Sequence, residues 1–126
     1  MATLMHKPER DADLLCVCEA LRREAGGYIA ITRLAGLAIR RSAGSFYLSE
    51  RKYTDIITRR ALTPKSPLKR EMHADILALA DRLRSAHPQA GTRAIVRMAA
   101  AQGAPRFYLS GRRAADILYA SLKTKR

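Results

Sequence analysis

The sequence predicts an all-α fold of two tandem three-helix repeats packed against each other, and three observations carry that prediction. Residues 46–56 read FYLSERKYTDI and residues 107–117 read FYLSGRRAADI, with seven of eleven positions identical and Lys52 exchanged for Arg113. Upstream the match continues one position out of step, with Asp13 to Arg22 lying over Asp75 to Arg84. Self-similarity at a fixed period decides architecture before other signals do. The second observation is composition: 48% hydrophobic residues, rich in Ala and Leu and without alternating runs, which favours helix. The third is length. A chain of 126 residues gives each repeat only about sixty, a marginal core for a unit standing alone, so the repeats are expected to lean on each other.

The elements follow in order. Pro8 and the acids after it open a first helix of about 9 to 24, with Leu14, Leu15, Cys18 and Leu21 on one face and Arg22 and Arg23 near its end. Gly26 and Gly27 stop it. Ile31, Leu34, Ala35, Leu37 and Ala38 mark a second helix running to about Arg41. Ser42 to Ser45 break the chain, Phe46, Tyr47 and Leu48 form a short extended segment, and Ser49 is placed to cap a third helix of about 50 to 61. The segment 63–70, with Pro64, Pro67 and three bases, reads as an exposed, extended linker. The plan then repeats with helices of about 71 to 85, 92 to 102 and 111 to 122, before a basic tail at 123–126. The expected units are 1–62, a linker at 63–70, and 71–126.

Lys and Arg number 24 against 11 acids, for a net charge of +13, so a polyanion is the expected partner. The excess is uneven: residues 1–62 carry 11 bases and 7 acids, whereas 63–126 carry 13 and 4. No stretch approaches the roughly 20 apolar residues of a membrane span, and no apolar signal core follows the N-terminus. A cytoplasmic protein is expected, nucleoid-associated if it binds DNA. Cys16 and Cys18 are two apart in a helix and are replaced by Ala78 and Ala80 in the second copy. They read as small core residues rather than a disulfide.

Three short helices, the third entered through a capping Ser and opened by two bases, resemble the helix-turn-helix class of DNA-binding proteins. Ser49, Arg51 and Lys52 carry the resemblance in one copy; Ser110, Arg112 and Arg113 carry it in the other. In that class the later helix of the pair lies in the major groove and its first turn meets bases and phosphates, which suits side chains beside free backbone amides. The seven or so residues between the second and third helices exceed the turn of three to four usual in the class. A positive charge in a first turn opposes the helix dipole at a cost of a few tenths of a kcal/mol, yet both copies place two there. Asp55 and Asp116 are positioned to hold one base each by an intrahelical pair. Arg59, Arg60, Arg106 and the linker bases are secondary candidates for backbone contacts, and the linker has the composition of a minor-groove arm as well as of a plain connector.

Phe46, Phe107, Leu48 and Leu109 read as core and staple residues. Tyr47 and Tyr108 divide evenly between packing and contact with a phosphate or an unpaired base. His6, His73 and His87 are scattered, with neither zinc-ligand spacing nor a phosphate-cradling glycine loop. The expectation is therefore a non-enzymatic protein without metal or cofactor. The leading reading is a DNA-binding protein with double-stranded DNA as partner, a transcription regulator or mobile-element accessory, in which the second unit, free of Glu50, binds more strongly. Two others stay open: an RNA-binding protein that uses the repeated tyrosines, and a helical scaffold for an acidic protein partner.

Overall fold

Capping chemistry sets where the helices start and stop. The computed structural model describes residues 6–124, which form α1 (Lys7–Ala25), α2 (Ile31–Ala38), α3 (Glu50–Ile57), α4 (Pro67–Ala86), α5 (Thr92–Ala101) and α6 (Gly111–Thr124). Pro8 opens α1, and Gly26 ends it in the left-handed conformation at φ 67°, its N–H donating to the carbonyls of Arg22 and Arg23. Ser49, Ser66 and Ser110 cap α3, α4 and α6, each accepting from the backbone N–H three residues on.

Four boundaries differ from expectation. Helix α4 begins inside the segment read as an extended linker, because Pro67 occupies the first turn, where no N–H is needed, behind the Ser66 cap. Helix α2 ends at Ala38, three residues early. Helix α3 ends at Ile57, since Arg59 turns left-handed at φ 62° and the N–H groups of Arg59 and Arg60 donate back to Ile56 and Asp55. That closure has the Schellman pattern, with an arginine where glycine is usual. At the other end Lys123 belongs to α6, so of the expected basic tail only Lys125 and Arg126 lie outside the described residues.

Within each repeat the first two helices pack together, α1 on α2 and α4 on α5, but the third helix packs across the repeat. The pairs expected from the helix-turn-helix resemblance, α2 with α3 and α5 with α6, do not pack together; instead α2 packs on α6 and α3 on α5. Helix α6 also meets α1, and α3 meets α4. Each sequence repeat thus sends its third helix onto the first two helices of the other. The chains cross at Ala43 and Ala104, which exchange both backbone hydrogen bonds at 2.9 Å as an isolated antiparallel bridge. These two alanines occupy equivalent positions of the two copies, so an approximate two-fold axis passes between them. Phe107 N–H adds a third bond across the crossing, to the Ile39 carbonyl at 3.1 Å.

One continuous core results, drawn from both repeats: Leu14, Leu34, Phe46 and Ile56 share it with Ile76, Ile95, Phe107 and Leu118. Among the described residues no polar or charged residue is buried. Phe46 and Phe107 are core, as expected, with Leu109 buried and Leu48 half-buried. Cysteine is a correction in part. Cys18 is buried, and burial pushes its thiol pKa up, whereas Cys16 is exposed, because residues two apart on a helix do not share a face. No described helix is long and apolar enough to cross a membrane.

Candidate nucleic-acid interface

The segments that lead into α3 and α6 meet early residues of α1 and α4 beside the crossing of the two copies. A small cleft of about 110 Å³ lies there, lined by Arg10 from α1, Lys69 and Met72 from α4, and the residues just before α3 and α6, Ser45 to Tyr47 and Arg106 to Tyr108. Helix N-termini carry partial positive charge from their unpaired N–H groups, and three cationic side chains join them here. Arg10 is held by Asp11 at 3.0 Å and Arg106 lies 3.5 Å from Glu71, while Lys69 makes no ion pair among the described residues. The sequence reading missed Arg10, whereas Lys69 is one of the linker bases it named as secondary candidates. Arg10 is Met72 in the second copy, so the internal comparison gave no reason to select it.

The bases singled out by the repeat do not line this cleft. Arg51, Arg112 and Arg113 are exposed in the first turns of α3 and α6, and Lys52 is half-buried. Among the described residues none of the four forms an ion pair with Asp55 or Asp116, contrary to the expected intrahelical pairing. Glu50 lies 3.9 Å from Arg97 of α5, an exposed contact of small energetic value. Lys52 is close enough to His73 on α4 to disfavour its protonation, together with Lys69. Arg113 lines a cleft with Lys7 and Asp11 of α1. Ser49 and Ser110 spend their side-chain oxygens on capping.

Tyr47 and Tyr108 are half-buried, and each hydroxyl donates to a carboxylate of its own repeat, Tyr47 to Asp13 and Tyr108 to Asp75 at 2.5 Å. Burial first, then the hydrogen bond to the carboxylate, raises both phenol pKa values well above the usual 10. Tyr108 stacks on Phe46 with centroids 5.7 Å apart, and the Arg106 guanidinium lies 5.8 Å from the Tyr108 ring centre. Tyr47 takes a left-handed backbone at φ 60°, its N–H donating to Ser45 Oγ at 2.9 Å. The pairs Asp13 with Tyr47 and Asp75 with Tyr108 were detectable in the sequence as four residues both copies keep.

The remaining candidates sit further out. Arg106 is half-buried and also donates from Nε to the Phe107 carbonyl at 3.1 Å. Arg59 and Arg60 are exposed beyond the end of α3 rather than on it. Among the described residues no group of three or more His, Cys, Asp and Glu side chains is placed to hold a metal. The geometry therefore offers a basic, helix-start surface at a two-fold axis, with hydroxyls and carboxylates tying its aromatic rings in place. Comparison with known protein families, curated proteins and solved structures finds no match.

Proposed function

We propose that this chain is a small DNA-binding protein, of the kind that regulates transcription or serves a mobile element, and that it meets duplex DNA with the two-fold axis facing the backbone. The observation that carries the reading is the meeting of Arg10, Lys69 and Arg106 in the cleft formed by the segments before α3 and α6, together with Arg51, Lys52, Arg112 and Arg113 in the first turns of those helices. Fixed partial charges at helix starts together with flexible cations suit a phosphate backbone. The exchanged pairs, α2 with α6 and α5 with α3, take the place of the helix-turn-helix pairs, and the first turns of α3 and α6 remain the segments offered to a groove.

The test is fluorescence anisotropy with labelled random-sequence duplex over a salt series, with single-stranded RNA as competitor. The expected result is a log–log slope of about −0.9 for each phosphate neutralised. Replacing Arg112 and Arg113 together by Ala should weaken binding more than replacing Arg51 and Lys52, because Glu50 stands beside the latter pair. No binding at low salt would overturn the proposal in favour of an acidic protein partner, and preferential competition by RNA would move it to the RNA reading.

A further inference from the structure

The two-fold axis generates two equivalent clefts, one where α3 lies on α4 and one where α6 lies on α1, and their contents have diverged. The α6 and α1 cleft, of about 450 Å³, has Asp11 and Asp116 beside Lys7 and Arg113, two charges of each sign. The α3 and α4 cleft, of about 340 Å³, has Arg59, Arg70 and His73 and no acid in its lining. These stand where the other copy has Ala120, Pro8 and Asp11. Its floor is apolar, from Ile56 and Leu77 with Pro64. Among the described residues neither Arg59 nor Arg70 forms an ion pair. Arg59 also holds the left-handed conformation at φ 62°, a position where glycine would carry no strain, so the turn keeps an arginine at the cleft mouth at some expense in stability. The volume falls within the range of small-molecule sites, which combine apolar walls with a few convergent polar groups.

We infer that the α3 and α4 cleft is a binding site for a small organic anion, a carboxylate or phosphomonoester on a compact apolar body, with Arg59 and Arg70 holding the anionic head and Ile56, Pro64 and Leu77 covering the body. Two planar guanidinium groups suit a two-oxygen head, and the His73 imidazole supplies a further donor at the same wall. The site goes beyond the nucleic-acid reading and is tested with no nucleic acid present.

The experiment is a ¹⁵N chemical-shift titration of the full chain with four probes: benzoate, phenyl phosphate, inorganic phosphate and phenol. The expected result is saturable shifts at residues 56–64 and 70–77 with benzoate or phenyl phosphate, whichever head the site prefers, and at least tenfold weaker binding of inorganic phosphate and of phenol. Arg59→Gly, which the turn accepts without strain, and Arg70→Ala should each weaken the preferred probe about tenfold or more. Replacing Lys7 and Arg113 of the sister cleft should leave it unchanged. Equal shifts in both clefts, binding of inorganic phosphate as tight as phenyl phosphate, or no saturable shift with any probe would each overturn the inference.

Discussion

The two repeats share a skeleton and differ in how they fill it. Buried positions match in pairs across the copies: Leu14 with Ile76, Cys18 with Ala80, Leu34 with Ile95, Ala38 with Ala99 and Phe46 with Phe107. The departures concentrate at the crossing and on α3. Tyr53, 1% exposed and edge-on to Phe46, stands where the second copy has Ala114. Asp13 accepts from both Gly44 N–H and Tyr47, whereas Asp75, with Pro105 at the position of Gly44, accepts among the described residues from Tyr108. Gly103 at the crossing corresponds to Ser42. Apart from Tyr53 opposite Ala114, apolar shape is kept at the paired core positions while polar satisfaction is solved differently on each side, as expected when packing tolerates little change but hydrogen bonds can be rearranged.

The largest effect should come from Tyr53. Its hydroxyl is buried without a well-formed hydrogen bond, although Ser45 and the Phe46 backbone lie near enough to bear on it. Tyr53→Ala should cost about 3–5 kcal/mol in urea unfolding, whereas Tyr53→Phe should be neutral or stabilising by up to about 1 kcal/mol. A Phe variant that loses as much as the Ala variant would show that the hydroxyl, not the ring, holds this side together. At the crossing, a Cβ on Gly103 would sit 2.9 Å from the Ala43 carbonyl oxygen, so Gly103→Ala should cost about 1–3 kcal/mol. Ser42→Ala, at the exposed equivalent position, should stay within about 0.5 kcal/mol. Equal losses would mean that the crossing is symmetric in strain.

Removing the tyrosine hydroxyls sharpens the comparison further. Tyr108→Phe leaves Asp75 without its donor and should cost about 1–2 kcal/mol; Tyr47→Phe, which leaves Gly44 N–H on Asp13, should cost less in the same unfolding measurement. The smallest effect is pH dependence from His73, whose counterpart is Asp11. Burial first, then Lys52 from α3 and Lys69 from its own helix, lower its pKa from 6.5, and Arg59 and Arg70 line the same cleft. The unfolded chain therefore binds the proton first as pH falls. Stability from this group is complete above pH 6.5 and declines below it, down through the lowered folded value. Urea midpoints on either side of pH 6.5 should show that His73→Gln flattens part of this decline; an unchanged slope would assign it to other groups.

Much of the scaffold was legible because the repeat acts as its own alignment. Six helices, the Ser49 and Ser110 caps and the burial of Phe46 and Phe107 all follow from positions both copies keep. The exchange of third helices was not legible, because the same amphipathic face on α3 fits α1 with α2 or α4 with α5 equally well in sequence. What decides is the path after α2, where Ala43 meets Ala104 before either third helix begins. The end of α3 was missed for a related reason. The pattern continues through Ile56, Ile57, Thr58 and Arg59 with no glycine to signal a left-handed turn. At the axis the sequence showed the repeated bases and, among the linker bases, Lys69, but not Arg10, which reaches the cleft through folding and not through repetition.

The exchanged helices also impose an order on synthesis. When the first repeat leaves the ribosome, α1 and α2 are complete but the helix that covers them, α6, is the last of the six to emerge. Helix α3 likewise has no partner until α4 and α5 follow. The nascent chain therefore carries the unfilled α1 and α2 surface until α6 emerges, and that closure joins helices far apart in the sequence. Such long-range closure is slow relative to local helix pairing, and the waiting surfaces are those at which two unfinished chains would trade helices with each other instead.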